Sequence, residues 1–200
     1  MKKRFLLCSF AMAAALVLAA TTAGAAEWRF PVGPTYVSGF SDVQDLFEDN
    51  LRYRGYVVES SAGVPVGLSF HPYYQWDSGL GMGVGFGPAM VIAADSSTES
   101  YSLTIVPLSF DVRYAFNITG SVSPYVRGGA TYLVASGDFK DSVQPGLFAA
   151  LGLEFLRQKK ISVGFEVGYD SAVVKMERLR DSAVESIKPI GFNAGIYVIF

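Results

Sequence analysis

The only histidine of the chain, His71, is the side chain best suited to acid–base chemistry. Ser69 lies two positions before it, and Asp111 is a carboxylate at similar depth two predicted strands away. A hydroxyl, an imidazole and a carboxylate are the parts of a serine-type nucleophilic site. A metal site is not expected, because it needs several suitable ligands and the chain has one histidine. A catalytic hypothesis therefore stays open and depends on the surroundings of His71.

Charged residues scattered through otherwise apolar segments form a second set. Together with His71 they are Arg29, Asp111, Arg113, Arg127, Glu154 and Glu166. If they share one enclosed space they must pair or be hydrated, because burial of an isolated ion costs several kcal/mol. Equal numbers of arginines and carboxylates favour a charge-paired plug, since an ion-selective path usually carries an excess of one sign. A narrow ion path or a proton-linked gate is the alternative.

The elements that must position these side chains are β-strands. Half of the residues are hydrophobic, yet after the first segment no stretch approaches the roughly 18–20 apolar residues of a spanning helix. Alternation predicts eight strands, at 28–37, 64–76, 80–93, 102–116, 123–135, 145–157, 160–170 and 189–200. Long polar loops are predicted at 38–63, 94–101, 136–144 and 171–188, and the other connections are short. This layout is typical of an outer-membrane barrel with both termini in the periplasm.

Glycines decide which face of these strands lies inside. One face of each strand is apolar, and the other carries the charges together with thirteen glycines. These are Gly33, Gly67, Gly81, Gly83, Gly85, Gly87, Gly129, Gly146, Gly152, Gly164, Gly168, Gly191 and Gly195. A narrow lumen has room for few side chains, whereas a water-facing exterior has no need of glycine. The apolar face is therefore predicted to meet lipid, with aromatic girdles at both rims.

Six prolines complicate the strand pattern. They are Pro31, Pro34, Pro65, Pro72, Pro88 and Pro107. Proline donates no ladder hydrogen bond, so irregular pairing is predicted around the first three strands. The run "GLGMGVGFG" belongs to the third strand and not to a phosphate-binding loop, because its spacing does not fit G-x-G-x-x-G.

The amino-terminal segment is predicted to be a signal peptide. Lys2, Lys3 and Arg4 precede an apolar run, and Ala23-Gly24-Ala25 offers a small-residue cleavage site. The predicted division is a cleaved signal at 1–26 and one barrel domain at 27–200. Cleavage leaves 13 basic and 18 acidic residues, a net charge of −5, which argues against nucleic acid as a partner. It also removes the only cysteine, so disulfides and thiolate metal sites are excluded.

The first long loop is predicted to contain a short amphipathic helix within Ser41–Tyr56. Ser41 and Gln44 fit a capping box. Its apolar face consists of Val43, Leu46, Phe47 and Leu51. The helix is expected to cap the extracellular mouth of the barrel, and the alternative is that it presents a surface for a ligand or partner.

The chain ends in "GFNAGIYVIF", which places Phe192, Ile196, Val198 and Phe200 on one face. With the signal peptide and the eight strands, this resembles the small outer-membrane β-barrel family of porin-like and opacity-type proteins. The resemblance implies an all-β, eight-stranded, antiparallel up-and-down transmembrane barrel. It also implies that these four residues are an assembly signal, recognised by the outer-membrane assembly machinery.

We expect the protein to be exported to the outer membrane of a Gram-negative-type bacterium and to lie there as a monomer surrounded by lipid. The first functional hypothesis is a structural or surface-interaction role with a largely closed lumen and no cofactor. The alternative is a small pore or carrier for ions or hydrophobic compounds. A lipid-modifying enzyme is the third hypothesis, because some eight-stranded outer-membrane barrels use histidine with serine and an acid. No further signature of those enzymes is present, and a packed lumen offers lipid no entry, so we expect no enzyme.

Overall fold

The structure is a computed structural model that describes residues 27–56, 65–95, 99–157 and 159–200. The predicted signal peptide lies outside the described residues. One helix, α1, spans Phe40–Tyr53. The strands are β1 (Glu27–Arg29), β2 (Pro31–Val37), β3 (Val66–Phe70), β4 (Tyr73–Gln75), β5 (Leu80–Phe86), β6 (Met90–Asp95), β7 (Ser100–Ala115), β8 (Val122–Gly137), β9 (Lys140–Gln144), β10 (Gly146–Phe155), β11 (Ser162–Asp170), β12 (Val173–Arg178), β13 (Ala183–Ile187) and β14 (Gly191–Ile199).

These segments form the eight wall strands of a closed antiparallel barrel, as predicted. Several wall strands are interrupted, so that β1–β2, β3–β4, β5–β6, β9–β10, β11–β12 and β13–β14 each make one strand of the wall, beside the uninterrupted β7 and β8. The pairing of β2 with β14 joins the first wall strand to the last, and β5 pairs with β7. Closure gives each wall strand a hydrogen-bonded neighbour on both sides over at least part of its length, and a closed sheet of this kind can cross a bilayer.

The prolines interrupt the first three wall strands, which confirms the predicted irregularity. His71 and Pro72 separate β3 from β4, and Pro88 lies in the gap between β5 and β6. β3 pairs with β5 only at Phe70↔Phe86, and β6 pairs with β7 alone. In the described part of the chain, β3 and β6 are therefore neighbouring wall segments without ladder pairing. We call this boundary the seam.

The extracellular end contains more strand than the sequence predicts. Residues 136–144 and 171–188, predicted as polar loops, contain β9, β12 and β13, which form a three-stranded sheet in the order β13-β12-β9. β6, β7 and β8 extend upward on the other side. We call these strand extensions, together with α1, the cap.

The inner face of the barrel changes character where the cap begins. Along β7, Tyr101, Leu103 and Ile105 point inward and are buried, whereas the inward residues further along are Asp111 and Arg113. The cap has one apolar core. It includes Val37, Val43, Leu46, Phe47, Leu51, Met90, Ile92, Leu133, Val174, Met176, Ile187 and Ile190. The prediction of one uniformly apolar face and one polar face is therefore correct for the lipid-embedded part and wrong for the cap.

Helix α1 buries the four apolar residues that the sequence predicts, but it starts earlier than predicted. Its N-cap is Gly39 and makes no side-chain capping bond. Ser41 lies inside the first turn and its hydroxyl donates to the Ser38 carbonyl at 3.4 Å, so the predicted capping box is wrong. The buried Asn50 side chain ties the helix to the β12–β13 hairpin, donating to the Glu177 carbonyl at 2.6 Å and accepting from the Leu179 N–H at 2.9 Å.

The outer face below the cap is apolar. Exposed aromatic side chains mark its periplasmic rim, where Trp28 packs against Tyr74 at 5.3 Å and Tyr114 against Phe116 at 5.1 Å between ring centroids. Tyr132 is exposed near the opposite rim. The described residues include no helix with the length and apolar character needed to cross a membrane.

Candidate functional site in the barrel lumen

The structure places all seven predicted lumen residues inside the barrel: Arg29, His71, Asp111, Arg113, Arg127, Glu154 and Glu166. They separate into a periplasmic group around Glu154 and a central group around Glu166. Strand alternation directs each side chain inward, and the closure of the sheet brings residues from distant strands together.

Glu154 is fully buried and accepts hydrogen bonds from three guanidinium groups. Arg29 Nη1 donates at 3.0 Å, Arg113 Nη2 at 2.8 Å and Arg157 Nη1 at 2.6 Å. The Ser162 hydroxyl donates at 2.9 Å. Both carboxylate oxygens are therefore occupied by charge-assisted hydrogen bonds.

Besides the buried Asp170, the charged residue Arg157 lies in the lumen without having been predicted there. Its parity places it on the outer face, because it lies three positions after the inward Glu154. Leu156 has a positive φ of 58°, a left-handed conformation that reverses the chain direction at the strand end. This turn returns the Arg157 side chain to the lumen, where Nη2 donates to Gln75 Oε1 at 2.8 Å. No alternation pattern could have signalled it.

Arg157 raises the number of lumen arginines to four, against the three predicted carboxylates. Glu27 compensates from the periplasmic end, where it accepts from Arg29 Nε at 2.7 Å. Arg157 Nη2 lies 3.7 Å from the same Glu27 carboxylate. The three arginines Arg29, Arg113 and Arg157 and the two carboxylates Glu154 and Glu27 thus form one ion-pair network in the lower lumen.

The central group links five residues of four wall strands. Arg127 Nε donates to Glu166 at 3.1 Å, and the Tyr125 hydroxyl donates to the same carboxylate at 3.0 Å. His71 Nε2 lies 2.7 Å from Asp111 Oδ2. Arg127 Nη1 lies 3.5 Å from that same Asp111 oxygen.

Aromatic rings fill the space between the two groups. The Arg113 guanidinium lies 3.5 Å from the ring centroid of Tyr125 and 4.5 Å from that of Tyr73, both cation–π contacts. A Cβ added at Gly83 would lie 2.8 Å from Tyr73 Cβ, and one added at Gly152 would enter the Tyr125 ring. The glycines on the inner face therefore make room for these rings.

A cavity of about 70 Å³ lies between the central group and the apolar core of the cap. Ser69, His71, Ser109 and Arg127 contribute to its wall. Its volume admits a few water molecules and is too small for a lipid acyl chain.

The geometry gives the catalytic hypothesis no support. Ser69 and Ser109 line the same cavity as His71, but neither serine has a hydrogen bond to the imidazole in the described structure. Arg127 Nη1 lies 2.8 Å from Nδ1 and 2.9 Å from Nε2 of His71. An imidazole that faces a permanent cation is a poor base for a serine hydroxyl. Among the described residues, no group of three or more histidine, cysteine or acidic side chains could hold a metal ion.

A second polar cluster lies at the rim of the cap. Glu99 accepts hydrogen bonds from the hydroxyls of Tyr101 and, at 2.7 Å, Tyr56. These bonds hold the pKa of Glu99 below its ordinary value, and the bond to Tyr101 raises the pKa of Tyr56. Arg54 Nη1 donates to the Tyr101 hydroxyl at 3.0 Å, and this bond raises the pKa of Arg54.

The residues predicted as the assembly signal share the outer face of the barrel. Phe192, Ile196, Val198 and Phe200 are all exposed toward lipid. Phe200 also accepts a backbone hydrogen bond from Phe30 at 3.1 Å, which fastens the carboxyl end to the first wall strand. Their recognition by the assembly machinery stays a prediction.

The chain matches the family model described as the outer membrane protein beta-barrel domain over residues 9–200. Its structure is similar to that of the outer membrane protein OprG from Pseudomonas aeruginosa, with a TM-score of 0.54, 10% identity, and coverage of 86% of this chain and 95% of that one. It is also similar to the E. coli outer membrane protein W, with a TM-score of 0.51, 14% identity, and coverage of 88% and 97%. At these identities the likeness concerns the fold alone. No curated protein sequence matches the chain.

Proposed function

The chain belongs to the outer membrane protein beta-barrel domain family and lies in the outer membrane of a Gram-negative bacterium, and from this premise we propose that it is a closed, non-conducting barrel with a surface-interaction role. The observation that carries the proposal is the convergence of three guanidinium groups on the buried Glu154. The part of the molecule available to partners is then the cap.

The network around Glu154 supports a permanently closed lumen. An ion passing through would have to displace Arg29, Arg113 or Arg157 from Glu154. Separating one partner of a buried ion pair costs roughly 3–5 kcal/mol, because the remaining charge is left uncompensated. The rings of Tyr73 and Tyr125 occupy the space beside these charges.

The cap supplies a second closure at the extracellular end. Val43, Phe47 and Leu51 of α1 are almost completely buried in its apolar core. Phe47 packs edge-on against Phe139 with ring centroids 5.3 Å apart. A hydrophobic core of this kind contains no water path, so the helix supports closure independently of the charges below.

Single-channel recording in planar lipid bilayers tests the proposal. We expect no discrete openings from the unaltered protein. The double variant Arg113→Ala/Glu154→Ala removes the centre of the network but leaves the cap in place, so openings are expected only when Val43→Ala and Phe47→Ala are added to loosen the cap. The lipid-facing control Val112→Ala should stay silent. Discrete openings of the unaltered protein, abolished by substitution of lumen charges, would contradict the proposal.

The seam favours a second candidate function, a carrier for hydrophobic compounds. Gly67 and Pro88 meet across the seam, where a Cβ on Gly67 would lie 2.5 Å from Pro88 Cβ. Ser69 and Pro88 also line the central cavity, so a separation of β3 from β6 would connect that cavity with the lipid. Uptake of the fluorescent hydrophobic probe N-phenylnaphthylamine by cells with and without the protein tests this candidate, and equal uptake eliminates it.

The lipid-modifying alternative has its own test. The lipid A of cells that lack the protein should be unchanged if the barrel is not an enzyme. A change in acylation that is restored by the unaltered protein but not by His71→Ala would reinstate the catalytic hypothesis.

A further inference from the structure

The strand β13 has an unpaired edge on the extracellular side of the molecule. In the described structure it pairs with β12 alone, through Ala183–Ile187. Backbone N–H and C=O groups of alternate residues in a strand point to opposite sides. Part of the backbone of β13 is therefore directed away from β12, and such an edge is a template for an additional strand.

Helix α1 does not cover this edge but forms the other wall of a groove beside it. The groove has a volume of about 440 Å³. Its helical wall consists of Asp42, Asp45, Leu46 and Asp49, and its strand wall consists of Arg178 of β12 together with Glu185, Ser186, Ile187 and Lys188. Leu46 and Ile187 are buried, so the groove has apolar material at its base. A polar rim over an apolar base is suited to an extended peptide.

The charge of the groove specifies the partner. Asp42, Asp45 and Asp49 recur at helical spacing and are all exposed. Asp49 pairs with Arg52 at 3.3 Å, whereas Asp42 and Asp45 have no ion-pair partner in the part of the chain that the structure describes. Glu185 is paired with Arg178. The unmatched charge of the groove is therefore negative and lies on the helical wall.

Lys188 does not neutralise these carboxylates. Its ammonium group donates to the Tyr169 hydroxyl at 2.8 Å and lies 5.5 Å from the centroid of that ring. In the described structure neither cation of the groove, Lys188 or Arg178, forms an ion pair with Asp42 or Asp45, so these two carboxylates are available to cations from outside.

We propose that the groove between α1 and β13 binds an extended basic peptide segment of another protein. The peptide adds a strand to β13 through main-chain hydrogen bonds and places lysine or arginine side chains against Asp42 and Asp45. This inference deepens the proposed surface-interaction role and rests on it, because it assigns the cap a class of partner. The bound peptide occupies one side of the cap, and the lumen stays closed.

An NMR titration of the protein in detergent micelles tests the backbone part of the proposal. The probe is a blocked peptide of alternating lysine and valine, and the two control peptides are its glutamate–valine counterpart and the same lysine–valine peptide N-methylated at each valine. We expect the amide signals of Ala183–Ile187 to shift with the lysine peptide. N-methylation removes backbone donors without changing charge, so binding should weaken roughly tenfold or more.

Two protein variants test the charge part. Asp42→Asn/Asp45→Asn should weaken binding of the lysine–valine peptide roughly tenfold, since it removes two charge-assisted contacts. The matched control Asp141→Asn/Glu177→Gln removes two acids elsewhere on the extracellular side and should leave binding unchanged. The heat-dependent electrophoretic mobility of each variant establishes that the barrel is folded.

The outcomes that overturn the proposal are distinct. Equal binding of the glutamate–valine peptide would exclude charge recognition, and insensitivity to N-methylation would exclude strand addition. Shifts confined to residues outside the groove would exclude this site. If the peptide does not bind and the unaltered protein shows no channel openings, the peptide-binding inference is wrong and the proposed closed barrel is unaffected. Discrete openings of the unaltered protein would instead contradict the proposed function.

Discussion

Glu154 shows how one side chain can hold several strands of a barrel together. The carboxylate lies on β10 and is bonded by Arg29 beside β2, by Arg113 on β7 and by Arg157 at the end of its own strand. Because all four of these side chains are buried, each of these charges depends on the others. Buried ionic groups of this kind fix strand register more clearly than they add stability.

Replacement of Glu154 by alanine should therefore be costly. Three buried guanidinium groups would lose their shared acceptor, and the free energy of unfolding should fall by roughly 3–5 kcal/mol. Urea unfolding of the refolded barrel, followed by tryptophan fluorescence, measures the change. The control Glu185→Ala removes a surface pair with Arg178 and should cost no more than about 1 kcal/mol. Equal losses in the two variants would contradict the role of Glu154.

Gly83 and Val84 are neighbours with opposite tolerance to larger side chains. A Cβ on Gly83 would lie 2.9 Å from the Pro72 carbonyl oxygen as well as close to Tyr73, whereas Val84 is 47% exposed on the lipid face. Gly83→Leu should hinder assembly, and Val84→Leu should leave it intact. The amount of heat-modifiable barrel in isolated outer membranes measures assembly; equal amounts would refute the inward orientation of Gly83.

Glu99 gives the rim of the cap a pH dependence. Its pKa is held below the ordinary value of 4.5 by the hydrogen bonds that it accepts from Tyr56 and Tyr101. The stabilisation that these bonds give the rim is therefore fully present above pH 4.5 and is lost as the pH falls through the lowered pKa. The NMR signals of Tyr56 and Tyr101 should change together in this acidic range. Glu99→Gln should abolish the titration, and a titration that persists in this variant would assign it to another group.

At the scale of elements, α1 is a separate closing piece that is fastened by Asn50. The apolar face of the helix provides burial, but the orientation of the helix over the β12–β13 hairpin depends on two hydrogen bonds of the Asn50 amide. Both partners are backbone groups of Glu177 and Leu179, which would otherwise lack these bonds at the tip of the hairpin.

Asn50→Leu should loosen the cap without opening the barrel wall. Loss of the two bonds leaves the partly buried backbone groups of Glu177 and Leu179 without these partners, at a cost of roughly 1 kcal/mol each. Hydrogen exchange of the β12–β13 amides should accelerate by roughly tenfold or more, while β7 and β8 below the cap keep their protection. Ser41→Ala is the control and should have no such effect, since Ser41 does not cap the helix.

At the scale of the whole molecule, the barrel combines two opposite arrangements of polarity. Within the membrane, apolar side chains face outward and charges face inward. In the cap, apolar side chains face inward, as in a soluble protein, and Ser102 lies exposed on the outer side of the same strand that carries Val112. Because β7 and β8 run without interruption from one part into the other, the membrane boundary lies where the polarity of their outer face changes.

Tryptophan probes can locate this boundary. In a background with Trp28→Phe and Trp76→Phe, Val112→Trp should be quenched strongly by brominated lipid, and Ser102→Trp should be quenched weakly. The two native tryptophans lie at the periplasmic rim, and they must be removed because their fluorescence would overlap that of the introduced probe. Equal quenching of the two probes would show that the cap is immersed in the bilayer.

The orientation of a side chain could be predicted from the sequence wherever the residue follows regular alternation. Arg113 and Glu166 could be assigned to the lumen because both lie within uninterrupted strands, and the apolar residues of α1 could be assigned to its buried face by helical spacing. Arg157 and the N-terminus of α1 could not be predicted, because both depend on local backbone conformation: the left-handed Leu156 in one case and the turn at Gly39 in the other. The strands within the predicted long loops were missed because their polar outer residues resemble loop sequence.

By itself, the sequence determined that the chain is an eight-stranded transmembrane barrel and which residues face its interior, since a strand's side chains alternate strictly between two sides and a narrow lumen selects glycine. The tertiary structure alone decided which residues meet: that Arg29, Arg113 and Arg157 share Glu154, and that, among the residues the structure describes, β13 pairs with β12 alone and β3 does not pair with β6. The physical reason is that these contacts join residues far apart in the chain. They are fixed by cross-strand register and by closure of the sheet, which no local pattern encodes.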